Sequence, residues 1–251
     1  MRSVSCSLPP LAGLYVIAIL CFSVAALLLV AVSIPGVPYF GGGATLLGAV
    51  ERSSASRRDT ISGLGSPPTR VALVVLATVN LVMVAVMAIA PVHLSAHGHG
   101  LGVVGIVVGV HVAGMFAPSP ISGWMVDRIG PAPVVSFGFL LLAAAGVAGA
   151  VLDMGDAPSM TAMLLMLGVG WNFGMVGGST LLAASVPAAL RPRVEGIGEV
   201  SMGLAAGAGA PIAGLVVALG GFAALSLAGT MVAAPAVLAL AFARRTASGQ
   251  A

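Results

Sequence analysis

The chain has 251 residues, of which 59% are hydrophobic and 7% charged, and its formal net charge is +3. About a quarter of the residues of a soluble domain are charged, so this composition excludes an ordinary soluble protein and indicates an integral membrane protein whose first partner is the lipid bilayer. All ten basic residues are Arg, which excludes Schiff-base chemistry on a lysine, and their scatter along the chain excludes a nucleic-acid-binding surface.

Seven apolar runs are long enough to cross a bilayer, for which about 20 residues are needed. They cover residues 11–33, 71–91, 101–122, 134–152, 160–187, 200–219 and 222–243. The runs show no alternation of polar and apolar residues and are rich in Gly and Ala, which favours closely packed helices over barrel strands. The predicted fold class is therefore all-α, a polytopic membrane helix bundle.

Four segments follow from these runs: an N-terminal transmembrane helix within 1–33, a linker over 34–70, a six-helix bundle over 71–245 and a tail over 246–251. The linker is rich in Pro, Gly, Ser and Arg, which is typical of a segment lying at the membrane surface. Connections that carry Arg alternate with connections that carry none. The positive-inside rule therefore predicts that the linker, the connection at Arg128 and the C-terminus are cytoplasmic.

The stretch "GWMVDRIG" places an acid beside a base in the short connection between the third and fourth spans. Gly123 is expected to let a neighbouring backbone approach, and Gly130 to take a left-handed conformation before Pro131 starts the next helix. For Asp127 and Arg128 two interpretations stay open. The pair either anchors the topology or forms a gate that holds two helices together in one conformation and releases them in another.

This stretch resembles the loop motif of the major facilitator superfamily, Gly-x-x-x-Asp-Arg-x-Gly, which follows the second helix of each six-helix half in that family. Here too it follows the second helix of the block that starts at 71, although Pro131 and Ala132 stand where the family usually has basic residues. The segments "GVGWNFGMVGGSTLLA" and "GLAAGAGAPIAGLV" are also similar to actinobacterial, drug-efflux-like members. The resemblance covers about residues 70–245.

The resemblance implies a transporter and not an enzyme, one that moves a small molecule by alternating access, with proton-coupled efflux as the expected mode. It further implies that the chain is the C-terminal part of a twelve-helix protein of a bacterial plasma membrane. Such a part would work with a second six-helix half, supplied upstream, by another copy or by a partner. The alternative is a non-transporting membrane subunit or an inactive truncated half-transporter. No cofactor is predicted.

Polar side chains within the spans are candidates for cavity lining or coupling. His111 lies near the middle of a span, where an ionisable group is by default a functional candidate, although one hydrogen bond would satisfy a neutral imidazole. Asn80, Trp171 and Asn172 can either line a cavity or tie helices together.

Two further patterns stand out in the bundle. His93, His97 and His99 cluster in an outer connection, but no carboxylate or thiolate lies beside them and glycines flank them, so no metal site is predicted. Small residues recur along one face of the sixth span and are predicted to pack against another helix, with the proline able to bend the span. These are Gly203, Gly207, Pro211 and Gly214.

Overall fold

The computed structural model describes residues 63–248, with side chains as far as Ala233, and five isolated positions nearer the N-terminus. Those five, residues 19, 20, 23, 24 and 27, are helical and exposed. The remainder of the predicted first helix, the linker before Gly63 and residues 249–251 lie outside the described residues. The chain divides into two compact units, Met1–Ser54 and Ala55–Ala251, and the helices of the bundle belong to the second.

The described bundle consists of helices and contains no strand, which confirms the predicted all-α class. Five stretches of the described residues are long and apolar enough to cross a membrane. The helices are α1 Pro67–Ala96, α2 Leu101–Phe116, α3 Ser119–Ile129, α4 Pro131–Val151, α5 Ala157–Ala184 and α6 Arg191–Ser248.

Helix α6 is broken at Gly221, the one residue in it whose φ and ψ, 70° and −172°, leave the helical region. The Asn80 side-chain amide of α1 donates to the Met202 carbonyl before the break. After the break, the Phe222 ring lies 4.8 Å from the His93 ring near the end of α1. Further along α6, a Cβ atom placed on Gly229 would lie 3.4 Å from a methyl group of Val82, which is nearer the start of α1 than His93. The first arm of α6, residues 191–220, therefore runs parallel to α1 and the second arm antiparallel, as the short connection between the predicted runs 200–219 and 222–243 requires.

Helix α1 begins four residues earlier than the predicted span because a capping sequence precedes it. Ser66 accepts a hydrogen bond from the Thr69 backbone N–H, and Pro67 occupies the first turn, where its missing N–H costs nothing. The Thr69 hydroxyl also lies 2.9 Å from the Ser185 hydroxyl beyond the end of α5. This contact joins the start of α1 to the end of α5.

The two ends of the bundle differ in charge. Arg70 lies at the start of α1, Arg128 at the end of α3 and Arg191 at the start of α6, and the helix directions bring all three to one end, called here the arginine end. At the opposite end, the histidine end, the His99 ring bonds the Gly155 carbonyl of the α4–α5 connection at 2.8 Å. The connections that carry Arg therefore lie at one end of the bundle and those without Arg at the other. Which end faces the cytoplasm stays a prediction.

Helices α4 and α5 pack backbone against backbone at glycines. A Cβ atom placed on Gly138 would lie 2.5 Å from the backbone N of Gly174 and 2.8 Å from the carbonyl O of Gly170. Large apolar side chains cover the outside of the bundle, with Leu101 84% and Leu219 81% exposed. Such a surface is stable in lipid, where helix association depends on close packing and hydrogen bonds.

Candidate functional site

The Asp-Arg motif occupies the end of a helix, so the prediction that it forms a connection is wrong. Asp127 and Arg128 lie in the last turn of α3, and Gly130 alone separates α3 from α4. The positive φ of Gly130, 83°, is as predicted, and Pro131 starts α4. A single glycine suffices because its positive φ reverses the chain directly into a proline-started helix.

The charged pair of the motif lies on the surface of the bundle. The Arg128 guanidinium lies 5.7 Å from the centre of the Trp124 ring, within cation–π distance. Asp127 is exposed and has no hydrogen-bond or ion-pair partner within the described part of the chain. Gly123 likewise meets no described atom within 4 Å of its Cβ position, so the predicted close approach is not made there.

Asn80 and Trp171 form a polar cluster that links three helices. The Trp171 indole N–H on α5 donates to Asn80 Oδ1 on α1 at 3.3 Å, and the Asn80 amide donates to the Met202 carbonyl on α6 at 3.0 Å. The Phe116 ring at the end of α2 meets the Trp171 ring edge-on, with centroids 6.2 Å apart. Trp171 and Asn80 are both half-buried. An aromatic face and an amide are thus presented together inside an apolar bundle.

Asn172, the neighbour of Trp171 on α5, donates hydrogen bonds to residues on both sides of the break between α2 and α3. Pro118 and Pro120 follow the end of α2 and have no N–H to continue its hydrogen-bond ladder. The Asn172 amide donates to the Met115 carbonyl at 2.7 Å and to the Ser119 hydroxyl at 2.8 Å. It therefore supplies a donor to a carbonyl in the last turn of α2, and a helix break within a membrane requires such a partner.

His111 is buried between α2 and α5. Its Nδ1 lies 2.7 Å from the Leu164 carbonyl, and because a carbonyl only accepts, Nδ1 carries a proton. Its Nε2 is buried and has no partner among the described residues; the same holds for Oδ1 of Asn172. Gly168 allows this contact, since a Cβ there would lie 2.5 Å from the His111 carbonyl.

The predicted candidates thus come together on two sides of α5. Asn80 and Trp171 meet on the side of α1 and α6. On the side of α2, His111 and Asn172 make separate contacts across the α2–α5 interface. Most of their polar atoms bond a neighbouring helix, whereas His111 Nε2 and Asn172 Oδ1 have no partner among the described residues. Neither the pairing of Asn80 with Trp171 nor the capping role of Asn172 could be inferred from the sequence, because both depend on how α5 is rotated against its neighbours.

The small residues predicted to pack on α6 point away from the described bundle. Gly203, Gly207 and Gly214 meet no described atom within 4 Å of their Cβ positions, and Pro211 is exposed. Gly209 makes the close approach instead, with its Cβ position 3.3 Å from the Leu81 carbonyl. The face that carries the other four therefore has no described neighbour, and its packing role stays a prediction.

A cavity of about 170 Å³ opens near the arginine end between α1, α5 and α6. Its polar wall consists of Ser179, Glu195 and Glu199, and Met202 closes it toward the Asn80 cluster. Glu199 and Ser179 were not among the predicted residues. The four-residue spacing of Glu195 and Glu199, which puts both on one helix face, is the signal that could have indicated them.

The three histidines of the histidine end hold connections together. The His93 and His97 rings lie 4.3 Å apart, and His97 Nδ1 bonds the His93 carbonyl at 2.8 Å. Within the described ranges, no group of three potential metal ligands comes together. The contacts of His97 and His99 are made to backbone atoms, which is a structural arrangement.

Comparison with known proteins identifies the family of the chain. The family model described as Major Facilitator Superfamily matches residues 71–250. The chain is 37% identical over 161 residues to the uncharacterized MFS-type transporter YddS of Bacillus subtilis (strain 168), and 38% identical over 159 residues to the uncharacterized MFS-type transporter YdeG of the same organism. These matches cover 64% and 62% of this chain but 37% and 36% of the relatives.

A third relative is the riboflavin transporter RfnT of Brucella anthropi, 30% identical over 122 residues, which are 48% of this chain and 30% of that protein. The chain thus spans 37%, 36% and 30% of the length of these three curated relatives. The family match and the apolar helices together make it an integral membrane protein. With the family model matching well over half of its length, the chain belongs to the major facilitator superfamily.

Proposed function

We propose that the chain forms part of a transporter that moves a small molecule across a bacterial plasma membrane by alternating access. The observation that carries this proposal is the Asn80–Trp171 cluster. It places an indole and an amide between three helices of a bundle whose spans are otherwise almost wholly apolar. Polar groups within a membrane are costly and tend to mark substrate paths. Alternating access in such bundles centres on a site near the midplane between two repeats.

The cavity at the arginine end supports a path to this cluster. It is lined by carboxylate and hydroxyl groups at its mouth, and its inner wall includes Met202, whose carbonyl accepts from Asn80. A small molecule with an aromatic or apolar body and a polar edge fits such a path. The body would lie against Trp171 and Phe116, and the edge would bond the Asn80 amide.

The exposed Asp-Arg motif supports the proposal of a gating contact between this bundle and a second one. Asp127 is exposed at the arginine end and has no partner in the described residues. Because a carboxylate is stabilised by helix N-termini and by guanidinium groups, a second six-helix half can supply its partner. On this proposal the arginine end and the C-terminus face the cytoplasm, transport is outward and the proton gradient drives it.

Transport by reconstituted full chain tests the proposal. Riboflavin is the first ligand to use, because one relative is a riboflavin transporter. Inside-out vesicles that contain the chain should take up radiolabelled riboflavin, or another member of a panel of small aromatic compounds, with saturation. Trp171→Leu should lower that uptake about tenfold or more, since it removes both the aromatic face and the donor to Asn80. Thr161→Val is the matched control, because its hydroxyl bonds only the Ala157 carbonyl of its own helix.

Crosslinking in the same vesicles identifies the second half. Saturable uptake is expected only where crosslinking shows a second copy or another bundle beside the chain. Saturable uptake by a proven monomer would contradict the two-bundle part of the proposal. Uptake that is equal in the wild type and in Trp171→Leu would contradict the assigned site.

A further inference from the structure

Three turns of the chain meet at the histidine end of the bundle. The His93 ring, in the last turn of α1, lies 4.3 Å from the His97 ring and 4.8 Å from the Phe222 ring after the break in α6. The His97 ring also faces the α4–α5 connection, because a Cβ atom on Gly155 would lie 2.6 Å from its Cδ2. His97 lies beyond the end of α1 and is exposed, so its ring can exchange protons with solvent.

A carboxylate of the α4–α5 connection faces the same point as His97. Nε2 of His97 and Oδ1 of Asp153 each lie 3.1 Å from the position that a Cβ atom on Gly155 would take. Because residue 155 is a glycine, no side-chain atom of that residue separates the imidazole from the carboxylate. Within the described part of the chain, no hydrogen bond or ion pair joins the two side chains.

The proton positions explain why these neighbours are not bonded. His97 Nδ1 lies 2.8 Å from the His93 carbonyl, and because a carbonyl only accepts, Nδ1 carries a proton. Nε2 of the neutral His97 ring is therefore an acceptor. The Asp153 carboxylate also only accepts, and its Oδ1 already accepts from the Gly155 N–H at 2.9 Å. A proton on His97 Nε2 would turn that atom into a donor and give the ring a charge opposite to that of the carboxylate.

We propose that His97 and Asp153 form a pH-sensitive clasp at the histidine end. As the pH falls, a proton from solvent binds His97 Nε2, no other covalent bond changes, and the new N–H donates to the Asp153 carboxylate. The clasp then joins the α1–α2 connection to the α4–α5 connection. Gly98 and Gly155 lie in these two connections and give their backbones the freedom to close the remaining distance.

A second bond between the same connections does not depend on pH. The His99 Nε2 lies 2.8 Å from the Gly155 carbonyl, so this nitrogen carries a proton in the neutral ring. It keeps that proton in the charged ring, and the bond is made in both forms. His99 therefore holds the two connections next to each other at every pH, and the clasp adds a second link in acid only.

The other charged groups near His97 are few. His93 is the nearest titratable group, and a charge on its ring would oppose a charge on the His97 ring. The Asp156 carboxylate accepts from the Ser159 N–H and hydroxyl at the start of α5. Among the described residues, α4 and α5 have no charged or histidine side chain, α2 has only the buried His111, and α6 has none from Gly221 to Ala233. Asp153 is therefore the carboxylate that faces Nε2 of His97.

The clasp is independent of the proposed transport function. On the topology predicted from the arginines, the histidine end lies outside the cytoplasm. The clasp then responds to the pH outside the cell, and an acidic medium strengthens the contact between the outer connections of the bundle.

Solid-state NMR of the full chain, reconstituted in lipid without substrate, tests the clasp. The histidine rings are labelled with ¹⁵N and the aspartate carboxyl groups with ¹³C, and the dipolar coupling between the two labels is measured at pH 8 and pH 5. We expect the coupling at pH 5 to be about twofold or more stronger, because the protonated ring closes onto the carboxylate. Asp153→Asn and His97→Gln should each remove this increase. Gly155→Ala should also remove it, because its methyl group would lie beside both atoms.

Two control variants keep the assignment strict. Asp156→Asn in the same connection should keep the increase, because asparagine also caps a helix. His93→Gln should keep it as well, because His97 Nδ1 bonds the backbone carbonyl of residue 93.

Equal coupling at the two pH values in the wild type would overturn the proposal. An increase that persists in His97→Gln or Asp153→Asn would also overturn it, by assigning the contact to another pair. These comparisons decide the matter even if Gly155→Ala does not fold. Because no substrate is present, the result leaves the transport assay to be judged independently.

Discussion

At the residue scale, polar side chains within the spans both bond neighbouring helices together and present polar atoms inside the bundle. Asn80 bonds both a side chain of α5 and a carbonyl of α6, so it stabilises the contact of three helices while presenting an amide to the cluster. Asn172 caps a broken helix with its NH₂ group and keeps its oxygen unpaired. A side chain with such a double role affects both folding and function when it is replaced.

Asn80→Leu is expected to lower the free energy of unfolding by about 1–3 kcal/mol, because the Trp171 N–H and the Met202 carbonyl both lose their partner. Chemical denaturation of the chain in mixed micelles, followed by circular dichroism, measures this change. Thr161→Val again serves as the control, with an expected change below about 0.5 kcal/mol. Equal stabilities of Asn80→Leu and this control would show that the two hydrogen bonds contribute nothing to folding.

At the element scale, glycines decide how closely the helices pack and where they end. Gly138 brings α4 against α5, Gly168 brings α5 against α2, and Gly221 reverses α6. The prolines act at helix ends, where Pro67 and Pro131 start helices and Pro118 follows the end of α2. In a bilayer, where apolar side chains gain little by leaving lipid for one another, these close contacts are what hold the elements together.

Gly138→Ala is expected to destabilise the chain by about 1–3 kcal/mol, because the new methyl group would lie 2.5 Å from the backbone N of Gly174 and backbone atoms have little room to move. Thermal unfolding in micelles measures the loss. Gly105→Ala is the matched control on α2, where nothing lies within 4 Å of the Cβ position. Its higher helix propensity should leave the stability unchanged or raise it by up to about 1 kcal/mol. Equal effects of the two substitutions would contradict the close α4–α5 contact.

At the scale of the whole molecule, charge and hydrophobicity set the orientation. The three arginines Arg70, Arg128 and Arg191 gather at one end of the bundle, although they are far apart in the sequence. Basic residues are retained on the cytoplasmic side during insertion. The arginine end is therefore expected to be cytoplasmic, and the cavity lined by Glu195 and Glu199 to open to the cytoplasm.

Cysteine labelling tests this orientation. Cys6 and Cys21 are first replaced by alanine, and single cysteines are then placed at the two ends as Ser179→Cys and Asp153→Cys. Both positions are exposed. A membrane-impermeant maleimide should label Ser179→Cys in inside-out vesicles and Asp153→Cys in right-side-out vesicles. The reverse pattern would place the arginine end outside and contradict the proposed direction of transport.

The sequence by itself determined the class of protein and the order of its spans. Composition and the apolar runs identify a helical membrane protein because about 20 apolar residues are needed for each crossing, and this requirement is local. Glycine and proline at the ends of runs marked the turn at Gly221 and the start of α4 at Pro131, since both act through their own backbone. The family resemblance carried by the Asp-Arg motif was confirmed for the same reason, as it depends on residue order alone.

Only the tertiary structure decided which side chains meet. It showed that Asp127 lies in a helix, that Gly209 and not Gly203 or Gly207 packs on α1, and that Trp171 bonds Asn80, 91 positions away. These relations depend on the rotation of each helix about its axis. Nearly uniform apolar spans have no clear polar face to predict that rotation, so it is settled by close packing and by the few hydrogen bonds between helices.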